Sequence, residues 1–130
     1  MASGKVSVEQ VAEELATGLT QYSQDIANEI KEAVDEVAAE TVEIIKKGAP
    51  VRTGKYKKGW TKKKAYESRR SKRNTVHNKT SYQLTHLLEH GHASKYGGRV
   101  RGIPHIAIAE EEAKRSLEDK VGNIARGRTL

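Results

Sequence analysis

Two histidines and a carboxylate stand close together at His86-Leu87-Leu88-Glu89-His90. On a helix the histidines fall at i and i+4, one turn apart on the same face, so they could share an ion with Glu89 nearby as a base. A working metal site also needs a third ligand, usually acidic and from a separate helix, and a deep cleft for substrate. About forty residues follow His90, and their acids sit in a helix start (Glu110, Glu111, Glu112) and on a solvated face. A short helix with polar residues on its open side accounts for the same pattern. His90-Gly91-His92 has metal-binding atoms too, but a helix C-terminus favours histidine on its own account. Gly97-Gly98-Arg99-Val100-Arg101-Gly102 lacks both the spacing and the Lys-Ser/Thr of a phosphate loop. The expectation is therefore no catalytic residue, no metal and no cofactor.

The second chemistry is electrostatic. Lys57, Lys58, Lys62, Lys63, Lys64, Arg69, Arg70, Lys72 and Arg73 crowd one stretch, interleaved with Tyr56, Trp60 and Tyr66. Cations between aromatics can hold a nucleic-acid backbone and stack on bases. Lysines on an edge hairpin also prevent strand-to-strand aggregation, and neither role implies sequence-specific readout.

The whole chain of 130 residues has a net charge of +7 that hides a polarised distribution. Residues 1–47 carry four Lys/Arg against ten Asp/Glu, a net −6. Residues 48–105 carry fifteen against two, a net +13, and the remainder is neutral. Such a basic centre suits a polyanion or an acidic protein surface, including that of a neighbouring copy. There is no cysteine, no apolar run long enough to cross a bilayer and no hydrophobic signal core at the N-terminus. A soluble protein, made and used inside a cell, is expected.

The elements that position these residues read as an α+β fold in one domain, residues 1–130. Residues 6–47 form a long amphipathic helix, with Ser7 as N-cap and Gly48-Ala49-Pro50 as the stop. Its apolar positions are Val8, Val11, Leu15, Leu19, Tyr22, Ile26, Ile30, Val34 or Ala33, Val37, Thr41 and Ile44. Gly18 marks a candidate kink. At 1.5 Å per residue, forty residues would span roughly 60 Å, twice the diameter of a small domain, so part of the helix must project or fold back.

Residues 51–103 hold a hairpin, a short helix and a Gly/Arg loop. The strand pattern runs from about Lys57 to Glu67, with Tyr56, Lys58, Trp60, Lys62, Lys64 and Tyr66 on one face, turns at Ser68–Ser71 and returns over Lys72–Asn78. Leu84, Leu87 and Leu88 then repeat at helical spacing, closed by Gly91. The loop from His92 to Gly102 is too polar and glycine-rich for a core. A last helix occupies 104–126, with Pro104 at its first position and Ile106, Ala109, Ala113, Leu117, Val121 and Ile124 on one face, before a frayed tail from Gly127. One Trp, five Tyr and no Phe make a thin core, which favours stability gained by oligomerisation.

The order of these pieces carries a resemblance. Ala49-Pro50-Val51-Arg52-Thr53-Gly54 resembles an Ala-Pro-Val-x-Thr-Gly hallmark; Tyr82, Leu87-Leu88-Glu89-His90-Gly91 and Pro104-His105-Ile106 follow in sequence. Together they resemble the tailed-phage neck and minor tail proteins whose type member is gene product ten of a lambda-like coliphage, over about residues 8–122. Arg52 stands where that family commonly has an acid, and His105 where it has an aromatic.

The resemblance implies a non-enzymatic virion component at the head–tail junction, made in the host cytoplasm, with copies closing a hexamer-like or larger ring around the DNA passage. Adjacent head-closure and tail proteins are the implied partners, with non-specific contact to double-stranded DNA and no membrane. Subunit contacts are expected from the long helix and from Tyr82, Leu87, Leu88, Tyr96, Arg99, Arg101 and Pro104, while the basic hairpin faces DNA or a neighbouring ring. The rival readings are a small basic nucleic-acid-binding protein and, third, a metal-dependent hydrolase using His86, Glu89 and His90.

Overall fold

A computed structural model describes residues 7–51 and 54–127. Val6, the turn residues Arg52 and Thr53, and the last three residues of the expected tail lie outside the described residues. The first helix, α1 (Val8–Gly48), begins at a reciprocal capping box: Gln10 N donates to Ser7 Oγ at 3.2 Å, and Ser7 N to Gln10 Oε1 at 3.1 Å. Lys46 and Lys47 close its last turn, where cations meet the negative end of the helix dipole. The expected kink at Gly18 is absent, because the helix runs through it unbroken. One glycine costs only about 1 kcal/mol within forty residues of otherwise helical sequence.

The burial of α1 is uneven. Every residue from Ser7 to Ser23 is exposed, and the body covers the helix only from Gln24 onwards. Val8, Leu15, Leu19 and Tyr22, expected to line an apolar face, are all more than 60 % exposed. The buried residues are Ala27, Ala33, Val37, Ala38, Thr41, Val42 and Ile45.

After Gly54 the chain forms a single helical turn, α2 (Lys55–Lys58), before the first strand, β1 (Trp60–Glu67). The strand therefore starts three residues later than its alternation suggests. Tyr56 and Trp60 are brought together by this turn and meet edge to face, with centroids 5.9 Å apart. Strand β2 (Lys72–Asn78) returns antiparallel, from Glu67↔Lys72 to Trp60↔Asn78. A bulge at Ala65 shifts the register between Lys64 and Tyr66, so Tyr66 leaves the face of Lys62 and Lys64 that strict alternation predicts for it. Asn78 fastens the base of the hairpin: its Nδ2 donates to Tyr56 O at 2.7 Å, and its Oδ1 accepts from Ser81 N at 2.8 Å.

A 3₁₀ turn (Tyr82–Leu84) leads into α3 (Thr85–His90). The expected Gly/Arg loop then contains a small ladder, β3 (Gly91–Ala93) with β4 (Arg99–Arg101). Gly91 has φ +83, and a side chain there would strike Val100 O; a Cβ on Gly102 would lie 2.5 Å from Glu89 O. Only glycine lets the two backbones approach this closely. The last helix, α4 (Ile106–Ala125), packs along α1, tied by Lys120 Nζ to Glu36 Oε2 at 3.1 Å and Ser116 Oγ to Glu40 Oε2 at 2.9 Å. Pro104 is exposed and lies outside the helix, whose N-cap is His105.

The core joins Val42, Ile45, Ala49, Tyr56, Trp60 and Ala109, with Ile44, Val76, Leu88 and Ile106 packed against it. The architecture is α+β: two long helices, a small antiparallel hairpin and a short helix. Among the described residues no helix is long and apolar enough to cross a membrane.

Candidate functional site

Glu89 is buried, and its carboxylate spans the start of α4. Oε1 accepts the N–H of His105 at 2.7 Å and of Ile106 at 2.8 Å, and Oε2 accepts that of Ala107 at 2.9 Å. The first turn of a helix has no intrahelical partners for these amides, and His105 provides no side-chain cap. Glu89, sixteen residues upstream, supplies the cap instead. Burial pushes its pKa up, but the three amides and the neighbouring His105 outweigh burial and hold it below the ordinary glutamate value.

His105 completes the cluster. Its Nδ1 lies 2.7 Å from Ile103 O and 3.1 Å from Glu89 Oε1. A carbonyl can only accept, so Nδ1 carries a proton. The other ring nitrogen, Nε2, then accepts from the hydroxyl of Tyr56 at 2.6 Å when the ring is neutral. Tyr56, Trp60 and His105 pack edge to face in pairs. Burial pushes the Tyr56 phenol above its ordinary pKa, which keeps it protonated and able to donate.

This arrangement changes the meaning of the His86-x-x-Glu89-His90 pattern. The imidazoles of His86 and His90 do lie side by side along α3, with ring centroids 4.8 Å apart and planes tilted by 48°. Glu89, however, turns away to the backbone of α4, and both its oxygens are committed there. Among the described residues no group of three or more His, Asp and Glu side chains is placed to hold a metal.

The basic residues divide into two sets. Lys72 is half-buried and turned onto α1, where its Nζ meets Asp35 Oδ2 at 2.8 Å; Asn74 Nδ2 reaches Oδ1 at 2.9 Å, and Lys62 Nζ lies 3.5 Å from Asp35 O. The hydrogen bond from Lys72 is the main reason the Asp35 carboxyl sits below its ordinary pKa. Lys64 pairs with Glu67, which also meets Lys31 of α1. Lys57, Lys58, Lys63, Arg70 and Arg73 have no side-chain partner among the described residues, and only the backbone carbonyl of Arg69 is engaged, by Gln24 Nε2 at 2.9 Å. Of these cations Lys57 is half-buried and the others are exposed.

The apolar candidates also divide. Tyr82, Leu87 and Tyr96 are exposed, while Leu88 packs against the core. Arg101 is exposed, and Arg99 donates to His90 O at 3.1 Å. A further exposed apolar surface lies on the projecting turns of α1. An apolar groove opens on the body beside them in the chain, about 380 Å³ in volume, between the second half of α1, the hairpin and α4.

Sequence reasoning missed three features: the Glu89 cap, the Tyr56–His105 bond and the Asp35 hub. Each joins residues distant in the chain, so no local spacing signals it. The exposed apolar side of α1 was signalled by helical periodicity, though not as exposed.

A family model described as "Bacteriophage HK97-gp10, putative tail-component" matches residues 13–91, well over half of the chain. The match runs from within α1 to Gly91, just past α3. No curated protein and no solved structure matches the chain.

Proposed function

The chain belongs to the HK97-gp10-like family of phage tail components, and we propose that it is a neck or tail-completion subunit that closes with its own copies into a ring around the DNA passage. Membership makes it a structural, virion-associated phage protein; the ring and its place at the head–tail junction are our reading. One observation carries that reading. The first sixteen residues of α1, about 24 Å of helix at 1.5 Å per residue, stand clear of the body with their apolar stripe in water. Its apolar residues have no cover from their own body, so burying them takes a surface from elsewhere.

Exposed Lys58, Lys63, Arg69, Arg70 and Arg73 fit a passage that surrounds DNA without gripping it. Diffuse charge attracts phosphates without reading bases. They also favour a second reading, a free nucleic-acid-binding protein. The hydrolase reading loses its base, because Glu89 is occupied by three amides.

Electron microscopy of the purified protein, alone and mixed with the products of its neighbouring genes, tests the proposal. Closed rings are expected. Single subunits under every condition, together with tight and sequence-selective DNA binding, would replace it with the second reading.

A further inference from the structure

From the projecting helix and the open groove we infer that the arm of one copy, Val8–Ser23, docks into the apolar groove of the next copy. The inference rests on the ring reading and names the contact that would hold the ring together. The arm presents Val8, Val11, Leu15 and Leu19 along one side, with exposures of 86, 40, 62 and 67 %. These steps of three and four are the anchors with which an amphipathic helix enters a hydrophobic groove. The groove is lined by Val34, Val37, Trp60, Val76 and Leu117, among others, with Glu110 the one charged residue at its α4 side.

The occupant cannot be the copy's own arm. Val34, Val37 and Thr41 belong to the same unbroken helix that carries the arm outward. An arm would have to leave the axis of α1 to reach them, and no break is present.

Charge selects between the remaining surfaces. The arm, Val8–Ser23, has three acids, Glu9, Glu13 and Glu14, and no Lys or Arg, a net −3. The hairpin wall of the groove, Trp60–Asn78, carries seven Lys/Arg against Glu67, a net +6. Two arms laid side by side would set like charges against each other, whereas an arm against the hairpin wall brings opposite charges together. The hairpin flanks the groove through Trp60, Asn74 and Val76, and exposed Lys62 pairs in register with Val76. Arm and groove are different surfaces on each copy, so the contact is head to tail, and repeated head-to-tail contacts close into a ring when the rotation allows.

The chain has no cysteine, which makes cross-linking direct. Leu15→Cys would place one thiol on the arm, and Ala113→Cys another in the groove of a separate batch of protein. A short bis-maleimide should join the two variants when mixed, and neither variant alone. A second variant, Leu15→Asp with Leu19→Asp, should raise the concentration of half-assembly at least ~10-fold, a factor worth about 1.4 kcal/mol. Its helix content and melting of the body should stay at wild-type values, because the arm touches nothing in the single copy.

Cross-linking of Leu15→Cys to itself as strongly as to Ala113→Cys would overturn the inference in favour of paired arms. Wild-type rings together with equal assembly of the double aspartate variant would also overturn it while leaving the ring reading intact. A wild-type protein that remains single at all concentrations, and with its genomic neighbours, would end both.

Discussion

The carboxylate of Glu89 accepts the backbone N–H of His105 at 2.7 Å, and through that bond α3 holds the first turn of α4. The two residues are sixteen apart in sequence, yet their contact orients the long helix that packs along α1. Ile106 and Ala107 donate to the same carboxylate. Hydrogen bonds to a charged group are roughly twice as strong as neutral ones, and an anion at a helix start is favoured by the dipole as well.

Removing this carboxylate should therefore loosen α4. Glu89→Ala leaves three amides without their acceptor in a buried site, and a loss of about 2–4 kcal/mol is expected from the cost of unmade charged hydrogen bonds and a lost cap. Glu89→Gln keeps one acceptor oxygen, so about 1–2 kcal/mol is expected. Urea unfolding followed by circular dichroism measures both. Equal stability of Glu89→Ala and wild type would mean that the cap contributes nothing.

The same carboxylate sets an acid limit. Its folded pKa lies below the unfolded value, so its contribution is fully present above the ordinary glutamate range of about 4.3 and is lost as pH falls through the folded pKa. Stability due to Glu89 should be flat from neutral pH to about 5 and then decline. Glu89→Gln should be less stable at neutral pH and show a shallower decline below pH ~4. Asp35 adds a smaller term of the same sign, screened by its partial exposure. Parallel acid-unfolding curves for wild type and Glu89→Gln would contradict the assignment.

The hydroxyl of Tyr56 tests the other end of the cluster. Tyr56→Phe preserves the ring packing against Trp60 but removes the 2.6 Å bond to His105 Nε2. A buried ring nitrogen would then lack its partner, at a cost of roughly 1–2 kcal/mol. Thermal unfolding of the single variant, and of Tyr56→Phe with Glu89→Gln, gives the coupling. The losses should not add, because His105 touches both groups.

How much of this was legible in the sequence varies with distance along the chain. The N-cap at Ser7 and the period of α1 are local, and both appear in the fold as read. The face of α1 was legible, but not its cover: periodicity shows which side of a helix avoids water and is silent on what shields it. Ile26 and Val37 obey the same pattern as Leu15 and Leu19, yet the body shields only the later pair. In the hairpin, strict alternation failed twice, at the helical turn Lys55–Lys58 and at the bulge after Lys64, since neither is visible in a period of two. Glu89 was the least legible. The missing third ligand argued against a metal role for it, but its actual partners are main-chain amides, which carry no sequence signature at all.

The hairpin cations offer the last test, and the structure sharpens which should be changed. Lys72 belongs to the fold: Lys72→Ser would leave Asp35 without its ion pair and should lower stability modestly, since the pair is partly exposed. Lys63, Arg69, Arg70 and Arg73 are exposed and form no ion pair among the described residues. Changing these four to Ser should leave unfolding nearly unaltered. On duplex DNA each phosphate contact adds a slope of about −0.9 to the dependence of log affinity on log salt. The single wild-type subunit should bind weakly, at roughly 10⁻⁴–10⁻⁶ M and without sequence preference, and the quadruple variant should show a flatter slope. In an assembled ring the contacts multiply with copy number, so the loss should be larger for particles than for single subunits. Fluorescence anisotropy over a salt series, run beside a particle-assembly assay, separates the outcomes. A variant that assembles poorly but keeps its salt slope would show that these four residues meet protein rather than DNA.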